Sequence, residues 1–348
     1  MRRRSAFTLI EMLVVVGIIV LLVGIAAPLL YKAYKSATVA RTKADLAAIS
    51  TALEAYKADH GDYPRVSVPE SGAAILGKAL MGPGDRVHFN PPTSMTVSNL
   101  PPGYSAGSQY KPGDIIQSGT DSSPLAFENL YVCVRECTGQ APPAVGPIKY
   151  NVYWTQVSPF DGADGPGFRV RPDINRVAQG KPVGPYLNAG RIPMRGLVFL
   201  DAAGNPILYF PVNNAKTDKA IASTLTTQGG YLTVFPYANP QTASSQSTFS
   251  IRDNLSSFRR DGETDYANAT KRIAGMLGDL GTSTTADTSA PAPDGAITNG
   301  TIIEKAVEVN NYLLWTAGTD AMFGPEVPAT IVDFKKDITT CDDVTNFR

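Results

Sequence analysis

From Met12 to Tyr31 the chain carries no charged side chain, and this run is headed by Glu11 and preceded by Arg2, Arg3 and Arg4. A helix needs about 20 apolar residues to cross the hydrocarbon core of a bilayer, so the run is long enough to span one. The arginines before it place the N-terminus on the cytoplasmic side by the positive-inside bias, and the remainder then faces away from the cytoplasm. A secretory signal peptide also joins basic residues to an apolar stretch, but it is cut after the stretch, at a small-residue site. Glu11 is the feature such a segment does not need. A carboxylate at the head of an apolar run is costly in lipid, so it marks a function and requires a partner.

Ala6-Phe7-Thr8-Leu9-Ile10-Glu11-Met12-Leu13-Val14-Val15 resembles the cleavage and methylation motif of type IV prepilins and type II secretion pseudopilins. The resemblance implies a cut by prepilin peptidase between Ala6 and Phe7 and methylation of the new amino group on Phe7. Residues 1–6 are then a leader. Glu11 becomes the fifth residue of the mature chain, where the family keeps a glutamate that meets the N-terminal ammonium of a neighbouring subunit. That ammonium is the partner the resemblance implies. The family usually has glycine before the cut where this chain has Ala6, and alanine is small enough for such a peptidase pocket. The alternative is an uncleaved signal anchor whose glutamate is there by chance.

The helix is expected over residues 7–60, with 7–30 in the membrane. Pro28 removes one backbone hydrogen bond and is expected to bend or loosen it, aided by Gly17 and Gly24. Pro28 also falls where many pilins carry a helix-bending proline. Beyond Tyr31, Leu46, Ile49, Leu53 and Tyr56 recur at helical spacing while Lys43, Asp45, Glu54 and Lys57 take other faces, which predicts a stripe packed on a globular sheet. Gly61 suits a left-handed C-terminal cap and Pro64 cannot continue the helix. Lys43, Asp45, Leu53, Tyr56, Gly61, Tyr63 and Pro64 match a progression in the major pseudopilin. His60 at the helix end needs no function.

Beyond the helix, 31 glycines and 27 prolines over the chain favour turns, short strands and long loops, and 43% hydrophobic residues suffice for a core. The expected architecture is α+β: a long transmembrane and amphipathic helix packed on a small antiparallel sheet, the pilin fold, with large loop insertions. Residues 61–190 read as an inserted, loop-rich region with a short helix or strand at Leu125–Cys137 and a strand at Tyr150–Val157. Within 191–212, two β-rich runs flank Asp201-Ala202-Ala203-Gly204-Asn205-Pro206, which predicts a hairpin. That turn and the following Tyr209 resemble the pseudopilin hairpin. Residues 213–300 form a Thr/Ser-rich insertion with a short helix near Tyr266–Leu280 and a linker at Thr282–Gly300. The arginines at 252, 259 and 260 read as a solvated face. Cys133, Cys137 and Cys341 are no disulfide framework. Cys133 and Cys137 would approach on a helical turn but be held apart along an extended strand, so a bridge and a pair of buried free thiols both stay open.

Residues 301–348 read as a strand, Val307–Trp315, followed by an acidic loop. Thr316, Gly318, Asp320, Asp343, Asn346 and Phe347 match the end of type II major pseudopilins, whose loop binds calcium. The resemblance implies Ca2+ held by Asp320, Asp342 and Asp343, with the Thr316 hydroxyl and loop carbonyls completing an oxygen shell. Ala321 departs from the family's glycine. The alternative is an acidic surface loop stabilised by local hydrogen bonds.

With two histidines and no phosphate-binding loop, His-Glu-x-x-His or Gly-x-Ser-x-Gly, the chain is not expected to be an enzyme. Its 31 basic and 31 acidic residues balance, so no nucleic acid is expected as a partner. The resemblance implies a structural subunit of a type II secretion pseudopilus in the bacterial inner membrane, with a periplasmic globular part. Its partners would be pilin or pseudopilin subunits, prepilin peptidase, and an inner-membrane assembly platform with its ATPase. A type IV pilus subunit serving adhesion, motility or DNA uptake is one alternative. A membrane-anchored adhesin or enzyme with a prepilin-type N-terminus is the other.

Overall fold

The first element, α1, spans Leu9–His60 and runs unbroken through Pro28 for 52 residues. It belongs to a computed structural model that describes residues 9–66, 71–81, 87–90, 94–97, 102–118, 130–143, 150–156, 168–172, 178–188, 190–212, 249, 253–263, 269, 272, 273, 276, 278–280, 304–306, 312–325 and 341–346. Every residue from Leu9 to Tyr34 is exposed, and the buried ones begin at Thr38. Thr42, Leu46, Ile49 and Leu53 recur three or four apart, the spacing that puts side chains on one helix face. Asp45 lies on that face too, buried at 8% exposure and not on a solvated side as expected. Burial raises its pKa, while Arg41 and Arg191 act in the opposite direction.

The helix stops as its residues require. Gly61 adopts φ +84° and its N–H donates to the Lys57 carbonyl at 2.7 Å. The Tyr63 hydroxyl then donates to Glu54 at 2.7 Å, and its ring meets Tyr312 edge-on at 4.8 Å. His60 is exposed and stacks on Tyr56 at 4.2 Å, as suits a helix end.

After α2 (Gly72–Met81) the chain forms short strands. β1 (Val87–Asn90) and β2 (Ser94–Val97) pair antiparallel. β3 (Gln109–Tyr110) joins β6 (Cys137–Thr138), while β4 (Ile115–Gln117), β5 (Leu130–Cys133) and β7 (Trp154–Gln156) make a three-stranded antiparallel sheet. β8 (Phe168–Pro172) pairs with β9 (Ala178–Val183), and β10 (Met194–Arg195) with β11 (Val198–Phe199). β12 (Leu208–Pro211) adds to β15 (Tyr312–Thr316), which adds to β16 (Val344–Thr345); β13 (Gly278–Leu280) pairs with β14 (Glu304–Ala306). The described residues contain no barrel.

The β12-β15-β16 sheet is the centre of the fold. Successive strand residues point to opposite faces. Accordingly Tyr209, Tyr312, Leu314 and Val344 pack with Leu46, Ile49 and Leu53 of α1. Leu208, Phe210, Leu313 and Trp315 take the other side, with Phe249, Phe258 and Ile273. The architecture is therefore α+β, a long apolar helix on antiparallel sheet, and residues from the 213–300 segment cover the sheet's second face. Helical residues at 269, 272, 273 and 276 agree with the short helix expected there, and strand begins at Gly278.

Other expectations are sharpened or corrected. The turn at Asp201 forms, with Asp201 N–H donating to the Asn205 carbonyl at 2.8 Å and Leu200 bridging Pro206 antiparallel. Its arms then diverge, β11 to β10 and β12 to β15, so the hairpin is two residue pairs deep and not a long ribbon. The described end of Leu125–Cys137 is strand, and Cys133 and Cys137 sit on strands β5 and β6, not on a helical turn. Arg259 and Arg260 are half-buried and bonded to backbone carbonyls of Glu263 and Gly324, each at 2.6 Å, so they are not a solvated face. Arg252 and Thr282–Gly300 lie outside the described residues.

Candidate functional site

Two regions carry the candidate residues. At the N-terminal one, Ala6 and Phe7 lie outside the described residues, and Glu11 stands in the first turn of α1. A carboxylate there also complements the positive end of the helix dipole. Among the described residues, α1 is the one helix long and apolar enough to cross a membrane.

The second region is the acidic loop between β15 and β16. The loop is shaped by Gly318 at φ +66°, where an added Cβ would run into the Asp342 backbone carbonyl. Asn205, at the Asp201 turn, donates to the Gly318 carbonyl at 2.8 Å, so two segments that resemble the pseudopilins meet here. Asn346 accepts from Leu314 N–H at 2.8 Å and holds the last strand in register. Phe347 lies outside the described residues.

Asp320, Asp342 and Asp343 converge until one carboxylate oxygen from each lies within 4.8 Å of the others. Asp343 is the deepest in electrostatic terms. Its Oδ2 accepts from the Trp315 indole N–H at 2.6 Å and from Gly324 N–H at 2.7 Å, while Oδ1 is buried with no partner. Burial pushes its pKa up to about 7 against those donors, and Asp320 and Asp342 add to the rise. Burial raises Asp320 as well. For Asp342 burial acts upward, but Thr319, donating from both N–H and hydroxyl at 2.9 and 2.6 Å, and Lys35 at 3.4 Å hold it below the usual range.

The set is all oxygen, crowded with negative charge, and includes one buried oxygen awaiting a partner. That suits a hard divalent cation. Thr316 is fully buried at the end of β15, and its hydroxyl oxygen, like Asp343 Oδ1, has no hydrogen-bond partner. Burial raises the nearby Asp201 carboxyl, and Asn205, Ala203 and Thr316 oppose that rise. Lys35, Trp315, Thr319 and Arg260 were not legible as parts of this site. Lys35 stands hundreds of residues from its acid, and Trp315 and Thr319, though close to Asp320 in sequence, serve Asp343 and Asp342 more than twenty residues further on, so no local pattern marks these pairings.

The chain resembles known proteins in part of its length. The prokaryotic N-terminal methylation motif family matches residues 1–27. Type II secretion system core protein G of Pseudomonas aeruginosa is 41% identical over 82 residues, which is 24% of this chain and 56% of that protein. Its namesake in Aeromonas hydrophila is 34% identical over 86 residues, 24% of this chain and 58% of that protein. The chain thus spans a little over half the length of the curated relatives it matches. No solved structure matches it. Motif and relatives make the chain pseudopilin-like, with a prepilin-type methylation motif ahead of a membrane-capable helix.

Proposed function

We propose that the chain is a structural subunit, not an enzyme, of a type II secretion pseudopilus. Prepilin peptidase cuts between Ala6 and Phe7 and methylates Phe7. The subunit waits in the bacterial inner membrane with its N-terminus cytoplasmic and its globular part periplasmic. An inner-membrane platform and ATPase then move it into a filament with other pseudopilin subunits.

The observation that carries this reading is the division of α1 into an exposed apolar segment, Leu9 to Tyr34, and a packed one from Thr38 onward. So large an apolar surface needs lipid or other helices around it. Both are met in turn if the subunit leaves a bilayer for a bundle of copies. Glu11 is the one charge between Leu9 and Tyr31. Opposite the ammonium of a neighbouring chain, in a medium of low dielectric, it would fix the axial step between subunits, and a misplaced register would leave a charge buried alone. The named relatives and the zero formal charge favour a secretion pseudopilus over a DNA-uptake pilus.

The test is Glu11→Val, co-expressed with wild-type subunits. We expect the leader to be removed as usual, seen by intact mass, and incorporation into sheared filaments to fall. Incorporation equal to wild type would overturn the role given to Glu11.

Calcium belongs to the same proposal. Asp320, Asp342 and Asp343 would hold the ion, whose chemistry here is to neutralise three crowded carboxylates and close the loop. Asp343 Oδ1 supports this as the buried oxygen without a partner. The Thr316 hydroxyl, expected as a further ligand, is also buried without a hydrogen-bond partner.

A further inference from the structure

We propose that Cys133 and Cys137 form an intramolecular disulfide in the globular domain, a conclusion that rests on the periplasmic location proposed above. The segment reads Cys-Val-Arg-Glu-Cys. Cys133 closes β5 and Cys137 opens β6, and the chain bends at Val134 and Arg135 between them. The cross-strand partners of the two cysteines are Trp154 and Tyr110. Those two rings meet edge-on with centroids 5.0 Å apart, so both cysteine positions converge on one aromatic pair. The thiols share one buried cluster and lie within hydrogen-bonding reach of each other.

The bend is held in that shape from outside. Val134 N–H donates to the Tyr153 carbonyl at 2.8 Å, and Arg135 reaches the Arg259 carbonyl at 2.6 Å and Asp261 at 2.9 Å. Metal capture is not the better reading of the pair. Among the described residues, the one group of three ligand-type side chains in metal-holding range is the Asp320 cluster. Burial also raises both thiol pKa values, which disfavours the thiolate a metal needs.

Raised pKa and burial mean that the bridge must close before this cluster is sealed. The chemistry is exchange with a disulfide oxidant. One cysteine thiolate attacks the oxidant's S–S bond and expels a thiolate; the second attacks the mixed disulfide and expels the other. Two electrons and the two cysteine protons end on the reduced oxidant. Cys341, half-buried against the Trp315 core, stays a thiol.

The full chain is expressed in a bacterium with an oxidising periplasm, quenched in acid, and alkylated in denaturant with and without prior reduction. Peptides come from a protease that spares Arg135. The peptide spanning both cysteines should be unalkylated and two hydrogens lighter without reduction, and doubly alkylated with it, while Cys341 is alkylated in both. Cys133→Ser should leave Cys137 alkylated without reduction. Double alkylation without reduction, in cells where added protease reaches the globular part in spheroplasts, would overturn the proposal. If the protease does not reach it, the location fails, and the same full chain refolded in detergent with oxidised and reduced glutathione decides the bridge: formation supports it, two remaining thiols overturn it.

Discussion

The Trp315 indole N–H donates to Oδ2 of Asp343 at 2.6 Å, while Oδ1 of the same carboxyl is buried without a partner. A strand and the chain's last described turn are thus joined through a group whose ionisation is disfavoured by its surroundings, with a pKa of about 7 against an ordinary 3.8. Because the folded state holds this proton more tightly than the unfolded chain, the contribution to stability is full below about pH 4. It is lost as the pH rises to about 7 and changes little above. With chelator present, the thermal midpoint should fall across that window, and Asp343→Asn should flatten the fall. A cation reverses the preference by favouring the charged form, so the midpoint gained from calcium should be larger at pH 8 than at pH 5. A gain that is the same at both would count against Asp343 as a ligand.

Trp315→Phe separates ring from donor. Phenylalanine keeps an aromatic against Phe258, now edge-on at 4.7 Å, but removes the N–H that Asp343 uses. Urea unfolding should show a loss of about 1–3 kcal/mol, the usual cost of stranding a buried polar group. The loss should be greater at pH 8, where the carboxyl is charged.

Ala321 has φ 61°, the left-handed region that costs an alanine about 1–2 kcal/mol. Glycine gives back roughly 0.5–1 kcal/mol through its freer unfolded chain. Ala321→Gly should therefore stabilise the protein by about 0.5–1 kcal/mol, read by urea midpoint. The resemblance to pseudopilins, which often have glycine there, points the same way.

Gly77→Ala tests the opposite case. Alanine ordinarily improves a helix by about 1 kcal/mol over glycine. In α2 an added Cβ would overlap the Leu197 carbonyl, where α2 rests on the approach to β11. The helix must move or the turn must give, and a loss of about 1–3 kcal/mol is expected in the same unfolding assay. A gain would mean that α2 is free to shift away from Leu197.

The long helix, its end at Gly61, the Asp201 turn and the conjunction of acids were legible because each is local or periodic. Leu46, Ile49 and Leu53 announce a face by spacing alone. A charge ordinarily seeks water, but Asp45 is buried on the packed face, where Arg41 and Arg191 oppose the rise that burial gives its pKa. Arg272 was missed altogether. It is 3% exposed, bonded to Glu263 at 2.5 Å and to the Phe258 carbonyl at 2.8 Å, and its burial depends on partners that only the folded chain assembles. The bend joining Cys133 to Cys137 was hidden for a different reason: the choice between helix and strand omits a sharp bend between two strands, which brings the thiols at i and i+4 within reach of each other.

Lys35 gives the anchor and the acidic loop a common neck. It lies one helical turn past Tyr31, about 6 Å further along the axis, and its ammonium is 3.4 Å from Asp342. In a bilayer-spanning subunit the loop would ride at the headgroup boundary, clamped to the stalk rather than hanging free. Any change of charge among its carboxylates would then be felt at the place where the stalk emerges, and so in the angle at which the body stands on the membrane or against the next subunit in a filament.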